Sequence, residues 1–340
     1  MKKGIIISIS LTIMLLCGCD KTEEAAKDVP VTDCIVRITP VKNQGHSSFC
    51  WIYAMLATIE SDRLMLGDSV NLSADYVAYR HFAQQAEAFY VSGGANDITM
   101  RGMTPRALSL ISDYGLTHHD AYNTDADMKV VERTLRKVVS GDINRRAGIE
   151  KTRKDITDIL DNGIRPLPQR VYLLGAQYSP HEFARSVCLP DDYIALTSYT
   201  HKPFGEMITL DVADNYGGER FLNIPVDSLQ SIINRTLRSG HAVCWEGDIS
   251  ESGFSFADGY ARLNNENEHV TQERRQRSFE TFRTTDDHCM EIIGMAHDGD
   301  GRKYYICKNS YGTGNPFGGL MYMSENYLRM KTIAVVIKKI

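Results

Sequence analysis

Apolar residues recur at helical spacing through the first half of the chain. After Cys50 they follow the period of an amphipathic helix as far as Leu66, and Ser73 stands where it can cap a second helix. A third helix is predicted over 105–114, because a proline lies at its start and Gly115 follows its end. The same spacing predicts further helices over 128–139, 149–160 and 227–238.

The second half changes to short apolar runs between turn residues, which is typical of β-strands. Helices followed by strands, without an internal repeat, predict an α+β fold with two lobes. The helical lobe is expected mainly over 50–170 and the β lobe mainly over 190–340. A cleft between two such lobes is a common place for a functional site. The predicted strands cover 192–200, 206–213, 242–247, 288–296, 303–309, 319–323 and 332–337.

Composition and charge exclude several classes of protein. With 340 residues, 43% hydrophobic and 24% charged, the chain has the composition of a globular protein and not of a disordered one. A net charge of -5 and a pI near 6.1 give no basic surface for nucleic acid. The densest basic run, Arg-Arg-Gln-Arg over 274–277, is short, and we interpret it as a solvated surface.

The N-terminus has the features of an export signal. Two lysines precede an apolar stretch over 4–16, which is too short to span a bilayer comfortably. The following Leu-Cys-Gly-Cys resembles a bacterial lipobox, which implies lipid attachment at Cys19. Residues 1–18 are then a signal peptide and residues 19–35 a polar tether. The predicted location is the bacterial cell envelope, lipid-anchored on its periplasmic or cell-surface side; the alternative is a soluble secreted protein.

Cys50 is the strongest candidate for chemistry. A cysteine in the first turn of a helix lies at the positive end of the helix dipole, which favours the thiolate. A nucleophile of this kind needs a base, a group that orients the base and donors for the oxyanion. If Asp298-Gly299 forms a two-residue hairpin turn, His288 faces Asn309 and the two side chains can bond. A turn at Asp300-Gly301 shifts this register, and a buried structural thiol is the alternative for Cys50.

The other cysteines give no metal-binding pattern. None forms a CxxC pair or has zinc spacing, so no metal or cofactor is predicted. An aspartate-rich stretch over 298–301 lacks the further ligands of a calcium loop and is better interpreted as a turn. Disulfides among Cys34, Cys188, Cys244, Cys289 and Cys307 are left open, although three of these cysteines lie in apolar surroundings typical of buried thiols, namely Cys188, Cys244 and Cys307.

Several ordered motifs resemble the papain superfamily of cysteine peptidases, whose Cys-His-Asn set is a variant of the catalytic triad. They are residues 40–45, Cys50-Trp51, Asp287-His288 and residues 308–312. The chain is most similar to the bleomycin hydrolase and aminopeptidase C branch, over a peptidase domain at 36–340. The branch similarity rests on Ser47-Ser48 before the cysteine and on matching segments at 178–183, 191–193, 223–227 and 240–254.

The resemblance implies a papain-like two-lobed fold and a role for four residues. Cys50 would be the nucleophile, His288 the acid and base, and Asn309 the residue that orients the imidazole. Gln44 would donate its amide to the oxyanion together with the Cys50 backbone N–H. Peptides are the implied substrates, and the implied activity is that of an aminopeptidase.

Some positions depart from the family pattern. Tyr311 replaces a tryptophan, Phe49 replaces a smaller or basic residue and is expected to narrow the cleft, and Cys289 replaces an alanine. In the branch the chain's own C-terminus restricts cutting to the end of a peptide, and whether Ile340 does so here is left open. A papain-type endopeptidase and a catalytically silent peptide-binding surface lipoprotein are the alternatives, and the oligomeric state is also open.

Overall fold

The computed structural model describes residues 29–173 and 175–339. Helices dominate the N-terminal part of this range and recur singly among the later strands. None of the helices within it is long and apolar enough to cross a membrane. They are α1 (Cys50–Met65), α2 (Ala74–Val91), α3 (Thr104–Tyr114), α4 (Met128–Arg145), α5 (Ile149–Gly163), α6 (Pro180–Val187), α7 (Val226–Arg238), α8 (Gln272–Glu280) and α9 (Glu325–Lys331).

Local signals fix the ends of the predicted helices. The Ser73 hydroxyl accepts the N–H of Tyr76 at 3.1 Å and caps α2, as the sequence predicted. Gly115 ends α3 with a φ of 81°, a left-handed backbone that favours glycine. The helices predicted after Cys50 and over 105–114, 128–139, 149–160 and 227–238 are therefore confirmed, most with ends extended by a few residues.

Most strands form one large mixed sheet. Its order is β5-β6-β4-β13-β7-β10-β11-β12-β9-β8, with β1 added along β10 and a separate hairpin of β2 and β3. The bounds are β1 (Val31–Ile35), β2 (Val171–Leu173), β3 (Ala176–Tyr178), β4 (Tyr193–Thr197), β5 (Met207–Thr209), β6 (Arg220–Asn223), β7 (Val243–Gly247), β8 (Phe254–Ser255), β9 (Tyr260–Ala261), β10 (His288–His297), β11 (Lys303–Lys308), β12 (Leu320–Ser324) and β13 (Thr332–Lys338).

The central strands β7, β10 and β13 are covered on both faces. Alternate side chains point to opposite sides of a strand, and the two sets enter different cores. Cys244 and Cys289 face the helical lobe and pack in the same core as α1. Val243 and Met290 face the other side and pack with α7. The start of α1 therefore lies against one face of the sheet, beside β7 and β10.

Three predictions need correction. The tether predicted over 19–35 overlaps β1, because residues 31–35 pair with the second half of β10; residues 1–18 and Cys19 lie outside the described residues. The strand predicted over 206–213 is only three residues long. The basic run over 274–277 is not wholly solvated, because Arg275 is 1% exposed and donates to the backbone carbonyl of Ser198 at 3.0 Å.

Candidate active site

Cys50 is the first residue of α1 and lines a cavity of about 160 Å³ between the two lobes. Phe49, at the N-cap, provides no side-chain cap for the helix. Backbone N–H groups at the start of a helix have no acceptor within the helix, and they carry the positive end of its dipole. The thiol is 8% exposed, so these N–H groups act on it in a nearly water-free place.

The surroundings of Cys50 favour its thiolate. Hydrogen bonding by the Cys289 thiol contributes most, and a hydrogen bond and the charge of His288 contribute further. Burial acts in the opposite direction, yet the pKa of Cys50 is lowered well below its usual value near 9. Burial and the neighbouring thiolate raise the pKa of Cys289, so of the two thiols Cys50 is the one that ionises.

His288 is held on both of its ring nitrogens. Its Nε2 is 2.8 Å from the side-chain oxygen of Asn309, and its Nδ1 is 3.3 Å from the hydroxyl of Tyr311. The rings of His288 and Tyr311 stack with centroids 4.7 Å apart. Tyr311 thus covers the imidazole as an aromatic lid, and burial raises the pKa of its phenol to about 12, so the hydroxyl stays protonated.

The hairpin that carries His288 and Asn309 has a different register from the predicted one. The contact between the two side chains is confirmed, but the two-residue turn at Asp298-Gly299 is wrong. The loop spans 298–302, where the N–H of Asp298 donates to the carbonyl of Arg302 at 3.0 Å. An irregularity within β10 then shifts the pairing by one residue. Asn309 reaches the imidazole from just beyond the end of β11, not from the directly opposing position.

Gln44 lines the same cavity as Cys50. Its side-chain oxygen accepts the hydroxyl of Ser310 at 2.5 Å, and its amide nitrogen donates to the carbonyl of Ser47 at 2.7 Å. An amide carries two N–H donors, so one is used to fix the side chain and the other is available for an oxyanion. All four predicted site residues, Gln44, Cys50, His288 and Asn309, are thus brought to one end of α1.

Phe49 does not line the cavity around Cys50. It is 2% exposed and packs edge-on against the ring of Phe82 at 5.3 Å, inside the helical lobe. The wall of the cavity is formed instead by Trp51 and Gly102, where a β-carbon on the glycine would lie 3.0 Å from the indole. A larger residue at this position would have to shift the indole of Trp51 by a few tenths of an ångström.

Four carboxylates in the cavity were not predicted as site residues. Asp214, Glu246, Asp286 and Asp287 line it together with Arg101. Glu246 was visible as the one charged residue in the apolar run over 242–247, and a charge in a buried strand is an informative exception. No sequence pattern connects it with Asp214 or Arg101, which are brought together by the fold.

The last strand runs away from the site. Thr332, at its start, pairs with Gly247, which pairs in turn with His288. Six residues later Lys338 pairs with Tyr193, and the N–H of Lys339 donates to Asp192. At about 3.3 Å per residue the strand covers roughly 20 Å in this direction. The described end of the chain therefore lies far from Cys50, and Ile340 is outside the described residues.

Among residues 29–173 and 175–339, no group of three or more His, Cys, Asp or Glu is arranged to hold a metal ion. Within the same ranges all six cysteines are free, and Cys188, Cys244 and Cys307 are buried thiols as predicted.

Comparisons with known proteins agree with this arrangement. The chain is 23% identical to Aminopeptidase W and 24% identical to Aminopeptidase G of Lactobacillus delbrueckii subsp. lactis, each over 88% of this chain and 80% of the relative. It superposes on the crystal structure of PepW from Lactobacillus rhamnosis HN001 (DR20) with a TM-score of 0.71, at 17% identity, over 92% of this chain and 82% of that chain. The predicted α+β, papain-like fold is thereby confirmed.

A family model described as the Peptidase C1-like family matches residues 170–340. The matched range is half of the chain and includes His288 and Asn309, while Cys50 and Gln44 precede it. The chain therefore belongs to the Peptidase C1-like family and is a cysteine-type peptidase.

Proposed function

We propose that this protein is a cysteine-type aminopeptidase, which removes residues from the free amino end of peptides. His288 takes the proton of the Cys50 thiol, and the thiolate attacks the carbonyl carbon of the first peptide bond. Gln44 and the Cys50 backbone N–H hold the resulting oxyanion. His288 then gives its proton to the leaving amine, and water, with His288 as base, releases the amino acid from the acyl-enzyme.

One observation carries the nucleophilic mechanism. The imidazole of His288 lines the same cavity as the Cys50 thiol, lowers the pKa of that thiol and is itself fixed by Asn309 at 2.8 Å, so nucleophile, base and orienting group lie together. A neutral amide in the third position orients the ring without adding a second buried negative charge beside the thiolate. This geometry and the resemblance support the roles proposed for Gln44, Cys50, His288 and Asn309.

Two relatives support the preference for amino ends. Both curated proteins that match most of the chain are named aminopeptidases, W and G. This agrees with the bleomycin hydrolase and aminopeptidase C branch inferred from the motifs. Exopeptidase action also fits a cavity of about 160 Å³, which is smaller than the roughly 300–1,000 Å³ of typical ligand sites.

The test compares substrates with free and blocked amino groups. We expect hydrolysis of phenylalanine methylcoumarylamide, little hydrolysis of its N-acetyl form, and loss of all turnover in Cys50→Ala. Cys34→Ala is the matched control, because Cys34 is a partly exposed thiol on β1 and should leave turnover intact. Equal hydrolysis of both substrates would identify an endopeptidase, and no Cys50-dependent hydrolysis would identify a silent binding protein.

The oxyanion role of Gln44 has its own test. Removing one such donor typically costs about 3 kcal/mol of transition-state stabilisation, so Gln44→Ala should lower kcat by roughly 100-fold or more. The thermal midpoint should change little, since the side chain of Gln44 lies at the cavity surface, where it hydrogen-bonds Ser47 and Ser310. A normal kcat in this variant excludes Gln44 from the mechanism.

We further propose that the peptidase is held at the cell envelope by a lipid on Cys19. The lipobox-like sequence and the polar residues that follow it support this placement. Radiolabelled palmitate should be incorporated into the full chain and not into Cys19→Ala, which should also leave the membrane fraction. Incorporation at equal levels in both proteins excludes the anchor.

A further inference from the structure

The cavity beside Cys50 has more negative than positive groups. Of its four carboxylates, Asp214 is neutralised by Arg101, whose Nε donates to its two oxygens at 2.7 and 2.8 Å. Asp287 is exposed and accepts a hydroxyl hydrogen bond. Glu246 and Asp286 remain. Arg101 donates to the backbone carbonyl of Asp286 at 2.7 Å, but neither side-chain carboxylate is in an ion pair with a described residue.

Each of these two carboxylates has an oxygen without a partner. Glu246 is 0% exposed; its Oε2 accepts the N–H and hydroxyl of Thr104 at 3.3 and 3.1 Å. Its Oε1 and the Oδ2 of Asp286 are buried and make no hydrogen bond to any residue that the structure describes. Burial, and then the charge of Asp286, raises the pKa of Glu246 well above the usual range. Burial, followed by the charge of Asp214, does the same for Asp286.

A buried carboxylate oxygen without a partner is costly. Asp142, Glu219 and Glu291 also have such an oxygen, but each of them is in an ion pair with an arginine or a lysine, and among the described residues Glu246 and Asp286 are not. A cation with N–H donors would remove the cost in two ways. It would supply the missing hydrogen bonds, and its charge would offset the repulsion between the two carboxylates. An ammonium group has three donors and can therefore serve both oxygens together.

The position of these oxygens relative to Cys50 limits which ammonium can reach them. Glu246 pairs directly across the sheet with Cys289, the thiol that contacts Cys50, and Asp286 lies two residues before His288. Both line the same small cavity as the nucleophile. In a peptide, the α-amino nitrogen is two covalent bonds from the carbonyl carbon that is attacked, whereas the charge of a lysine or arginine side chain lies much farther away.

We propose that Glu246 and Asp286 form the subsite that binds the free α-ammonium group of the substrate. This inference rests on the proposed aminopeptidase function and names the groups that produce its specificity. With the ammonium held by these two carboxylates, the first peptide bond is the one placed over Cys50. Acetylation removes both the charge and two of the three donors, so a blocked peptide leaves the carboxylates unsatisfied.

The first experiment measures binding without turnover. The full chain carrying Cys50→Ala is titrated calorimetrically with phenylalanine amide and with N-acetylphenylalanine amide at about pH 6.5, where an α-amino group is mostly protonated. We expect the free amine to bind at least ten times more tightly. Adding Glu246→Gln or Asp286→Asn should remove most of this difference, because one charge-assisted hydrogen bond typically changes affinity by about 10- to 100-fold.

The second experiment measures turnover in the protein with Cys50 intact. The ratio of kcat/KM for the free substrate to that for the acetylated one should fall by about 10- to 100-fold in Glu246→Gln and in Asp286→Asn. Asp142→Asn is the matched control, since Asp142 is also a 0% exposed carboxylate with an unpartnered oxygen but lies on α4 and does not line the cavity. It should leave the ratio unchanged. If Glu246→Gln shows no thermal unfolding transition and is therefore not folded, the same ratio is measured in Asp286→Asn, whose side chain is more accessible.

The outcomes separate this inference from the proposed function. Equal binding of the two amides to Cys50→Ala overturns the subsite whatever the turnover. A preference for free amines that survives both substitutions also overturns it, while aminopeptidase activity stands. If acetyl-arginine methylcoumarylamide is cleaved as fast as free phenylalanine methylcoumarylamide, the carboxylates bind a basic side chain and not the amino end. If the variants lose the preference for free amines but still cleave through Cys50, the result supports both the subsite and the proposed function.

Discussion

Two groups of buried carboxylates lie on the helical-lobe side of the central sheet, and only one of them is neutralised. In the first, Glu60 accepts Lys42 at 2.6 Å and Glu291 lies 3.5 Å from Lys308. In the second, the side chains of Glu246 and Asp286 have no ion pair with any described lysine or arginine, and each keeps a buried oxygen without a hydrogen bond. We call the first the lysine-paired cluster and the second the unpaired cluster.

The lysine-paired cluster holds the site in position. Lys308 directly precedes Asn309, and Lys42 lies two residues before Gln44. Both lysines bind acids that are fixed on or packed against α1: Glu60 belongs to the helix, and Glu291 accepts the hydroxyl of Ser61 at 2.6 Å. Charges that are buried and paired therefore tie the orienting asparagine and the oxyanion glutamine to the helix that carries the nucleophile.

The difference shows how burial can mark a function. Both clusters cost desolvation energy, but the lysine-paired cluster recovers part of it within the protein. The unpaired cluster can recover it only from a ligand, and it lies where a substrate must enter. A buried acid is thus informative about function when its own fold supplies no cation for it.

The largest effect is expected from breaking the lysine-paired cluster. Lys308→Met leaves Glu291 buried without its counter-ion, and removing one partner of a buried pair typically costs about 3–5 kcal/mol. The free energy of unfolding in urea should fall by that amount. The matched control is Lys303→Met on the same strand, whose side chain is 70% exposed and whose ion pair is solvated; it should change stability by less than about 1 kcal/mol. If both variants lose the same free energy of unfolding, the buried pair of Lys308 does not differ in strength from the solvated pair of Lys303.

A smaller loss is expected when the acid of that pair is removed. Glu291→Gln keeps the shape of the side chain but leaves Lys308 with only the Thr39 hydroxyl at 3.0 Å. We expect a loss of about 1–3 kcal/mol, measured by urea unfolding at pH 7. A double variant with Lys308→Met should be less unstable than the sum of the two single variants, because each removes the same interaction. If the loss of stability in the double variant equals the sum of the two single losses, Lys308 and Glu291 do not interact.

The same substitution in the unpaired cluster should have the opposite sign. A carboxyl whose pKa is raised by folding binds its proton more tightly when folded, so the folded protein loses stability as pH rises above the ordinary carboxyl range near 4. Glu246→Gln removes this loss. The variant should become more stable than the original protein as pH rises, by up to about 1.4 kcal/mol per pH unit until the raised pKa is reached. Thermal unfolding from pH 4 to 8 measures this; a difference independent of pH contradicts it.

The smallest effect concerns the thiol beside the unpaired cluster. Cys289, the cross-strand neighbour of Glu246, provides the largest contribution to the lowered pKa of Cys50. Cys289→Ala should therefore raise that pKa. The rate at which iodoacetamide alkylates Cys50 should then begin to rise at a higher pH than in the original protein. The pKa should still remain below its usual value near 9, because His288 also favours the thiolate. Cys244→Ala on β7 is the control. If the original protein and the two variants show the same pH dependence of alkylation, Cys289 does not contribute to the lowered pKa.

Much of the fold followed from local pattern. The apolar period after Cys50 and the cap at Ser73 are local signals. As these signals predict, α1 begins at Cys50 and α2 begins directly after Ser73. The hairpin register did not follow, because the Asp-Gly-Asp-Gly stretch offers two turns and the irregularity in β10 has no sequence marker. The contact of His288 with Asn309 was predicted correctly from a wrong register, since long side chains bridge a shift of two or three residues.

Which buried groups come together in space was the part that sequence could not predict. Arg275 is buried because backbone carbonyls of Ser198, Arg329 and Thr332 meet around it, and those residues lie 54 to 77 positions away. The cavity acids are equally non-local, because Asp214, Glu246 and Asp286 come from three separate segments. A single sequence shows which residues are charged but not which of them share a dry space.

The contact of α1 with β10 also determines when the thiol becomes reactive. Cys50 is made early, but His288 and Asn309 follow about 240 residues later. At typical synthesis rates of about 5–20 residues per second, that gap lasts roughly 10–50 s. Until β10 and β11 have docked on α1, Cys50 lacks its base and remains an ordinary thiol. A growing chain with one half of the machinery therefore has no means of cutting itself or its neighbours.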